Sequence, residues 1–285
     1  MRASSLTALS FFSSLVAALP APAYPGYTLL WSDEFAGPAG SSPDQSRWNI
    51  ITNVHTNHEV ETYTTSNQNL QISGGGTVQI VPRKSPSGQW TSARIESKAT
   101  FTPAAGKVTM FEAAIRFGTN PASQKQGIWP AFWLLGDAIH HGTAWPLCGE
   151  LDIMETVNGL PTGHGTLHCG ATTSGGPCAE PTGRTGAVAL PDDGWHTWSL
   201  QIDRTNAAGG WAGEVIKFLK DGQVFFQVSG AQLGDEGIWA TLAHSPLFII
   251  LNVAVGGDWP GAPNAATADG YGSMMEVEYV AVYSS

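Results

Sequence analysis

Short runs rich in Val, Ile, Thr and aromatic residues recur along this chain, each closed by a cluster of Gly, Pro, Asn or Asp, and no other feature constrains the fold as much. They cover residues 27–31, 78–81, 93–98, 108–117, 195–202, 215–219, 224–228, 247–255 and 274–283. Lys220-Asp221-Gly222-Gln223, between two of them, reads as a hairpin turn because Asp-Gly readily takes positive φ. Past the first twenty residues no segment sustains a helical apolar period. Many evenly spaced strands without helices predict an all-β fold, an antiparallel sandwich. At this length a jelly roll of two large curved sheets is favoured.

A length of 285 residues leaves the domain count open, but no charge block, low-complexity linker or internal repeat marks a boundary, so one domain over 24–285 is expected. Hydrophobic residues make up 42%, enough for a substantial core, while charged residues make up 13%, about half of the roughly 25% usual for soluble domains. The formal net charge of −10 would repel phosphate backbones and anionic lipids, which excludes nucleic acid and membrane surfaces as partners. A neutral polysaccharide fits better, and a monomer is expected. The 11 Trp residues suit it, since an indole face covers the apolar face of a pyranose, although about two in three are expected in the core.

Arg2, an apolar run over 6–19 and small residues at Ala18, Ala21 and Ala23 read as a secretory signal peptide over 1–20, cut between 18 and 23. The run is shorter than the ~20 apolar residues a spanning helix needs. The sequence closes without the hydrophobic tail of a lipid-anchor signal, so a freely soluble, extracellular protein is expected. Cys148, Cys169 and Cys178 allow at most one internal bridge. Cys169 and Cys178, flanking the Gly/Ser/Pro-rich 170–177, are the expected pair, with Cys148 as a competitor. The spacing does not resemble a zinc site.

Gly149-Glu150-Leu151-Asp152-Ile153-Met154-Glu155-Thr156 sets three carboxylates among apolar residues in a charge-poor chain. On a regular strand Glu150 and Asp152 share a face and Glu155 points to the other. A β-bulge near Ile153 or Met154 returns Glu155 to the face of the other two, because it adds one unpaired residue. The flanking Glu residues would then be about four strand steps apart, ~13 Å between Cα atoms. Their carboxylates must lean inward to reach the separation of about 5 to 5.5 Å that retaining glycosidases use. Asp152 between them adds a like charge, which raises the pKa of an acid in the group while the nucleophile stays ionised. The same acids would also serve a calcium site or a solvated strand face. Trp129 and Trp133 in Gly127-Ile128-Trp129-Pro130-Ala131-Phe132-Trp133 before them, and Gly165-Thr166-Leu167-His168-Cys169 after them, favour a sugar cleft.

These stretches resemble glycoside hydrolase family 16, specifically its laminarinase-like branch, whose E-x-D-x-x-E motif is matched by Glu150, Asp152 and Glu155. The likeness extends through Trp31-Ser32-Asp33-Glu34-Phe35, Thr91-Ser92-Ala93-Arg94-Ile95, Leu251-Asn252-Val253-Ala254-Val255-Gly256-Gly257 and Val277-Glu278-Tyr279-Val280-Ala281-Val282-Tyr283. It implies a concanavalin-like β-jelly roll and a retaining endo-hydrolase of β-1,3-glucan, with mixed-linkage β-1,3-1,4-glucan as a second substrate. By that resemblance Glu150 is the nucleophile, Glu155 the acid/base and Asp152 the helper between them. Trp129 and Trp133 line the donor side, with one of them left open as core. His168 borders the acids, whereas His140 and His141 have no such support. Arg94 either bonds sugar hydroxyls or forms a structural ion pair.

No cofactor is required, and a structural calcium at Glu34 and Glu278 is the one metal the resemblance brings; where relatives carry Asp in the last strand, this chain has Glu278. It also departs at Asn57-His58-Glu59-Val60-Glu61-Thr62-Tyr63, where many relatives have Asn-Glu before Tyr-Tyr, so those roles do not carry over. A glucan transglycosylase and a carbohydrate-binding protein without turnover are the alternatives. Intact Glu150, Asp152 and Glu155 weigh against the latter. The chain holds no N-x-S/T acceptor for an N-linked glycan.

Overall fold

The computed structural model describes residues 18–206 and 209–285. The expected leader over 1–20 therefore lies, up to residue 17, outside the described residues. Two large antiparallel sheets share one core. The eight-stranded sheet runs in the order β16 (Gln223–Ser229), β15 (Val215–Lys220), β14 (His196–Asp203), β9 (Val108–Phe117), β18 (Met275–Ser284), β5 (Val78–Ile80) and β4 (Leu70–Ile72), with β1 (Thr28–Asp33) also paired to β18. The seven-stranded sheet runs β13 (Arg184–Ala189), β12 (Thr162–His168), β11 (Glu150–Glu155), β10 (Ile128–Gly136), β17 (Leu247–Val255), β8 (Arg94–Ser97) and β2 (Trp48–Ile51). A three-stranded sheet, β3 (Glu61–Tyr63), β7 (Trp90–Ser92) and β6 (Arg83–Lys84), includes the parallel pair β3 and β7.

The period of two decides which side of each strand meets the core. On β17, Leu247, Ile249, Leu251, Val253 and Val255 join the main cluster, while Phe248 and Ile250 pack on the other side beside Trp133 and Leu135. Asn252 and Ala254 continue that second side, which is the open face of the seven-stranded sheet. The hairpin between β15 and β16 turns on Asp221 (φ 50°) and Gly222 (φ 73°), the conformation that Asp-Gly supplies cheaply.

One expectation is corrected. The chain is not free of helix: α1 (Gly230–Leu233) and α2 (Glu236–Ala243) follow β16. Asp235 caps α2 by accepting a hydrogen bond from the Ile238 amide at 3.0 Å, and Trp239, Leu242 and Ala243 form its buried side. Two turns are too short for a sustained apolar period, so the pattern merged with the loops around it. Among the described residues no helix is long and apolar enough to cross a membrane.

Glycines decide how the sheets meet behind β12 and β13. A Cβ on Gly165 would lie 2.6 Å from Phe218 Cδ1, and one on Gly163 or Gly186 would run into Trp198 or Phe226. β12 and β13 therefore present bare backbone to the core at these points, and aromatic rings of the opposite sheet fill the space. Gly165→Ala should cost about 1–3 kcal/mol through overpacking, seen as a Tm several degrees lower in a thermal melt followed by circular dichroism. An unchanged Tm would mean the rings can retreat without loss.

Candidate active site

The three acids share the open face because β11 is bulged. Against β10, Glu155 stands opposite Ala131 and Met154 opposite Phe132, but the next pair is Asp152 with Trp133, then Leu135 with Glu150. Against β12, Glu155 faces His164, Asp152 faces Thr166 and Glu150 faces His168, with the same slip between Asp152 and Glu155. Ile153 and Met154 both enter the core cluster, two successive residues on one side, which is what a bulge permits. Leu151 anchors the strand on that side too, so the acids have no alternative but the open face.

Around Glu155 the site is aromatic. Trp129 Nε1 donates to Glu155 Oε1 at 2.9 Å. The ring of Trp129 meets that of Trp259 edge-on at 5.6 Å, and His164 meets Trp259 at 5.1 Å. At the other end the Trp145 ring lies 5.6 Å from His168. His168 Nε2 is 3.5 Å from Asp152 Oδ2 and 4.0 Å from Glu150 Oε1, while its Nδ1 shares a hydrogen bond of 2.7 Å with Glu180 Oε2. Glu180 is buried and its Oε1 accepts from the Cys169 amide at 2.8 Å. Cys169 is joined to Cys178 with 5.3 Å between Cα atoms, so the loop that carries Glu180 is tied to the end of β12. Cys148 is a buried free thiol, its pKa pushed up to about 12 by burial and by the charge of Glu150.

Trp133 and Arg94 belong to a second group on the same face. Trp133 Nε1 donates to Asn252 Oδ1 at 2.8 Å, and Asn252 Nδ2 donates to the Tyr63 hydroxyl at 3.1 Å. Arg94 lies 4.8 Å over the Trp133 ring and donates from Nε and Nη2 to Glu96 Oε1 at 3.0 and 2.7 Å. The ion pair with Glu96 is formed in the free protein. His140 and His141 both bond to Asp137.

Burial dominates the electrostatics. It raises all three carboxyl pKa values, because a charge taken out of water loses hydration. Asp152 stands well above the carboxylate range, pushed further by Glu150, Glu155 and Glu180, and its Oδ2 has no hydrogen-bond partner. Glu155 is raised to about 7 by burial, with the Trp129 hydrogen bond and His168 opposing. Glu150 is raised by burial against the pull of His168, Arg94 and Trp145. His168 feels burial downward, yet the bond to Glu180 and the charges of Glu150, Glu180 and Glu155 turn the net shift upward.

Ligand atoms of Glu150, Asp152 and His168 lie within 4.8 Å of one another, a donor set able to hold a cation. The pairing of β1 with β18 ends at Asp33 opposite Val280, so Glu34 follows the last paired residue of β1 and Glu278 lies two residues before Val280 on β18. Glu34 Oε1 accepts from Ser32 Oγ at 2.6 Å. Two carboxylates alone fall short of the six to eight oxygens calcium takes.

Sequence reasoning missed Trp145, Glu180, His164 and Trp259. Trp145, five residues before Glu150, was the one with a readable signal. Glu180 and Trp259 arrive from loops, where no period marks them. The tryptophans divide between the core and the open face. Trp48, Trp90, Trp198 and Trp239 are buried and Trp31 and Trp211 pack against the core, but Trp129, Trp133, Trp145 and Trp259 gather at the open face.

Residues 45–210 match the family model of the XgeA-like catalytic GH16 domain. The chain is 31% identical over 274 residues to a beta-glucanase of Rhodothermus marinus, covering 91% of this chain and 86% of that protein. It is 30% identical to glucan endo-1,3-beta-glucosidase A1 of Niallia circulans, over 92% of this chain but 38% of that longer protein. The endo-1,3-beta-glucanase from Streptomyces sioyaensis superposes with a TM-score of 0.86 at 36% identity, covering 94% of this chain and 99% of that one. With the jelly roll, the bulged acidic strand and these relatives together, the chain belongs to glycoside hydrolase family 16.

Proposed function

We propose that this protein is a secreted, retaining endo-hydrolase of β-1,3-glucan that also accepts mixed-linkage β-1,3-1,4-glucan, acting as a monomer through a single catalytic domain over 24–285. The observation that carries the reading is the bulge at Ile153 and Met154, which gives Glu150, Asp152 and Glu155 one face between aromatic walls. The disulfide supports an oxidising compartment. Glu155, protonated up to about pH 7, gives its proton to the glycosidic oxygen as the bond to C1 breaks. Glu150 is the ionised partner, since His168, Arg94 and Trp145 all favour its charge. Its carboxylate bonds to C1 on the opposite face, and the aglycone leaves as an alcohol. Glu155, now a carboxylate, takes a proton from water as the oxygen of that water displaces Glu150, and the anomer is retained.

Asp152 is the helper: its pKa, raised well above the carboxylate range by burial and by the charges of Glu150 and Glu155, lets it hold a proton between the two glutamates, so that the cluster does not hold three charges at once. Trp129 and Trp133 would cover sugar faces, and His168 would orient the acids. No cofactor enters these steps. A calcium held by Glu34 and Glu278 would act on stability alone.

Incubated with laminarin, mixed-linkage glucan, xyloglucan and galactan, the protein should release reducing ends from the first two, and Glu150→Gln should lower the rate at least a thousandfold. Elongated products without net new ends would point to the transglycosylase. Saccharide binding without turnover on any polymer would point to the non-catalytic reading.

The pH dependence of kcat/KM should be bell-shaped with its maximum on the acid side of neutral. The basic limb falls as Glu155 loses its proton near pH 7, and the acidic limb falls as Glu150, whose pKa burial raises, takes up a proton. An alkaline optimum would overturn the assignment of Glu155.

Stability follows the opposite logic to a salt bridge. Asp152 and Glu155 hold protons more tightly folded than unfolded, so their contribution is complete below the unfolded value of about 4. It is lost as pH rises through the folded values. Asp152→Asn should therefore melt higher than the parent at pH 8 and show a flatter Tm against pH, while losing activity. A parallel slope in the two proteins would remove Asp152 from the role of proton holder.

A further inference from the structure

The outer face of the eight-stranded sheet divides into two halves. Over one half the segment around Ala21, Tyr24 and Tyr27 covers Met110, Ala114, Tyr279, Ala281 and Tyr283. Tyr24 and Tyr279 donate to Glu112 Oε1 at 2.7 and 2.8 Å, and Ser199 donates to its Oε2 at 2.7 Å, so this half is closed and satisfied. The other half carries a straight cross-strand row. Register sets Arg116 of β9 opposite Glu276 of β18, Glu276 opposite Gln79 of β5, and Gln79 opposite Gln71 of β4. Trp195 extends the row just before β14, under the Arg116 guanidinium at 5.0 Å. Tyr271 ends it, with its hydroxyl accepting from Gln71 Nε2 and Arg83 at 4.9 Å over its ring.

We propose that this row is a second, non-catalytic binding site for a neutral β-linked glucan chain, on the face opposite the acids; it rests on the reading of the protein as a glucanase. Five strands lie side by side from Trp195 to Gln71, a span of roughly 19 Å at ~4.8 Å per step. Both ends are exposed aromatic rings, Trp195 at 39% and Tyr271 at 48%. Each has a guanidinium over one face of its ring, which holds the ring in place and leaves only the other face for the apolar side of a sugar.

Between the rings the side chains hold one another in place. Gln71 Nε2 donates to Gln79 Oε1 at 3.0 Å, Gln79 Nε2 to Glu276 Oε1 at 3.0 Å, and Arg116 Nε to Glu276 Oε2 at 2.7 Å. Such a row is ordered before any ligand arrives, and its spare amide and guanidinium positions face hydroxyls at little cost in entropy. The charge argument selects the ligand. Arg116 and Glu276 cancel within the row and Arg83 leaves one positive charge at its Tyr271 end, so on a chain of net charge −10 the row lacks the cluster of cations an anionic polymer would need and suits an uncharged one.

The test uses the full-length protein, its Trp195→Ala/Tyr271→Ala double variant and Tyr271→Ala alone, each also in the Glu150→Gln background. Binding is read by depletion onto insoluble β-1,3-glucan, catalysis by kcat/KM on a short soluble β-1,3-gluco-oligosaccharide, and folding by Tm. The double variant should bind insoluble glucan about fivefold or more weakly and degrade it more slowly, with kcat/KM on the oligosaccharide within about twofold of the parent. The single variant should show the same direction, and it decides the outcome if the double variant melts early. Equal depletion, or an equal loss on the soluble oligosaccharide, would overturn the proposal. Depletion is read in the Glu150→Gln background, where no hydrolysis is needed, so loss of the row and failure of the glucanase reading give different results.

Discussion

Everything on the open face depends on two neighbouring side chains, Ile153 and Met154, both going into the core. With strict alternation one of them would emerge on the open face and Glu155 would turn inward among Phe132, Leu134 and Leu167. An ionised carboxylate without a partner in such surroundings is costly enough that the chain would neutralise or reject it. The bulge resolves the conflict by giving up one ladder pairing. Its chemical consequence is that three acids crowd one side of one strand. Burial and mutual repulsion then keep the group from ionising fully, so the bulge governs protonation as well as geometry.

What could be read from the sequence was whatever obeys a short period or a local turn rule. β9 and β17 coincide with the apolar runs over 108–117 and 247–255, and the Asp221-Gly222 turn sits where its chemistry required. The bulge was legible because acids at 150, 152 and 155 cannot share a face otherwise. Short strands such as β3, β4 and β7 were missed or merged into loops, since three residues cannot display a period. β13 reads Arg-Thr-Gly-Ala-Val-Ala, too weak a β signal to stand alone, and it exists because β12 offers it an edge. In the site, the strand residues were legible and the loop residues were not. Glu180 reaches His168 through a loop whose path is set by the Cys169–Cys178 link, a constraint on three-dimensional position that leaves no mark on neighbouring residue types.

The low charge content has a structural counterpart. The charges that are present near the site are engaged: Arg94 with Glu96, Glu180 with His168 and the Cys169 amide. Under the proposed function recognition would fall to indole rings and amides, and Trp129, Trp133 and Asn252 are bonded so that their planes are set in advance. An uncharged polymer offers repeated apolar faces and hydroxyls but no charge to pair with. Preset planar groups answer that surface better than flexible ions, whose ordering would cost rotamer entropy at every contact.

The bare core side of β12 and β13 carries a consequence for how this enzyme can change over generations. Behind Thr166 and His168 the packing volume belongs to Trp198, Phe218 and Phe226, rings rooted in the opposite sheet. A side chain gained at Gly163, Gly165 or Gly186 can be accommodated only if the facing ring shrinks, and a smaller ring leaves a void only a larger residue at the glycine can fill. These positions are therefore coupled. Among descendants of this sequence, substitutions there should accumulate as compensating pairs across the sandwich, so that the packing behind β12 and β13 drifts by exchange between the two sheets and not residue by residue.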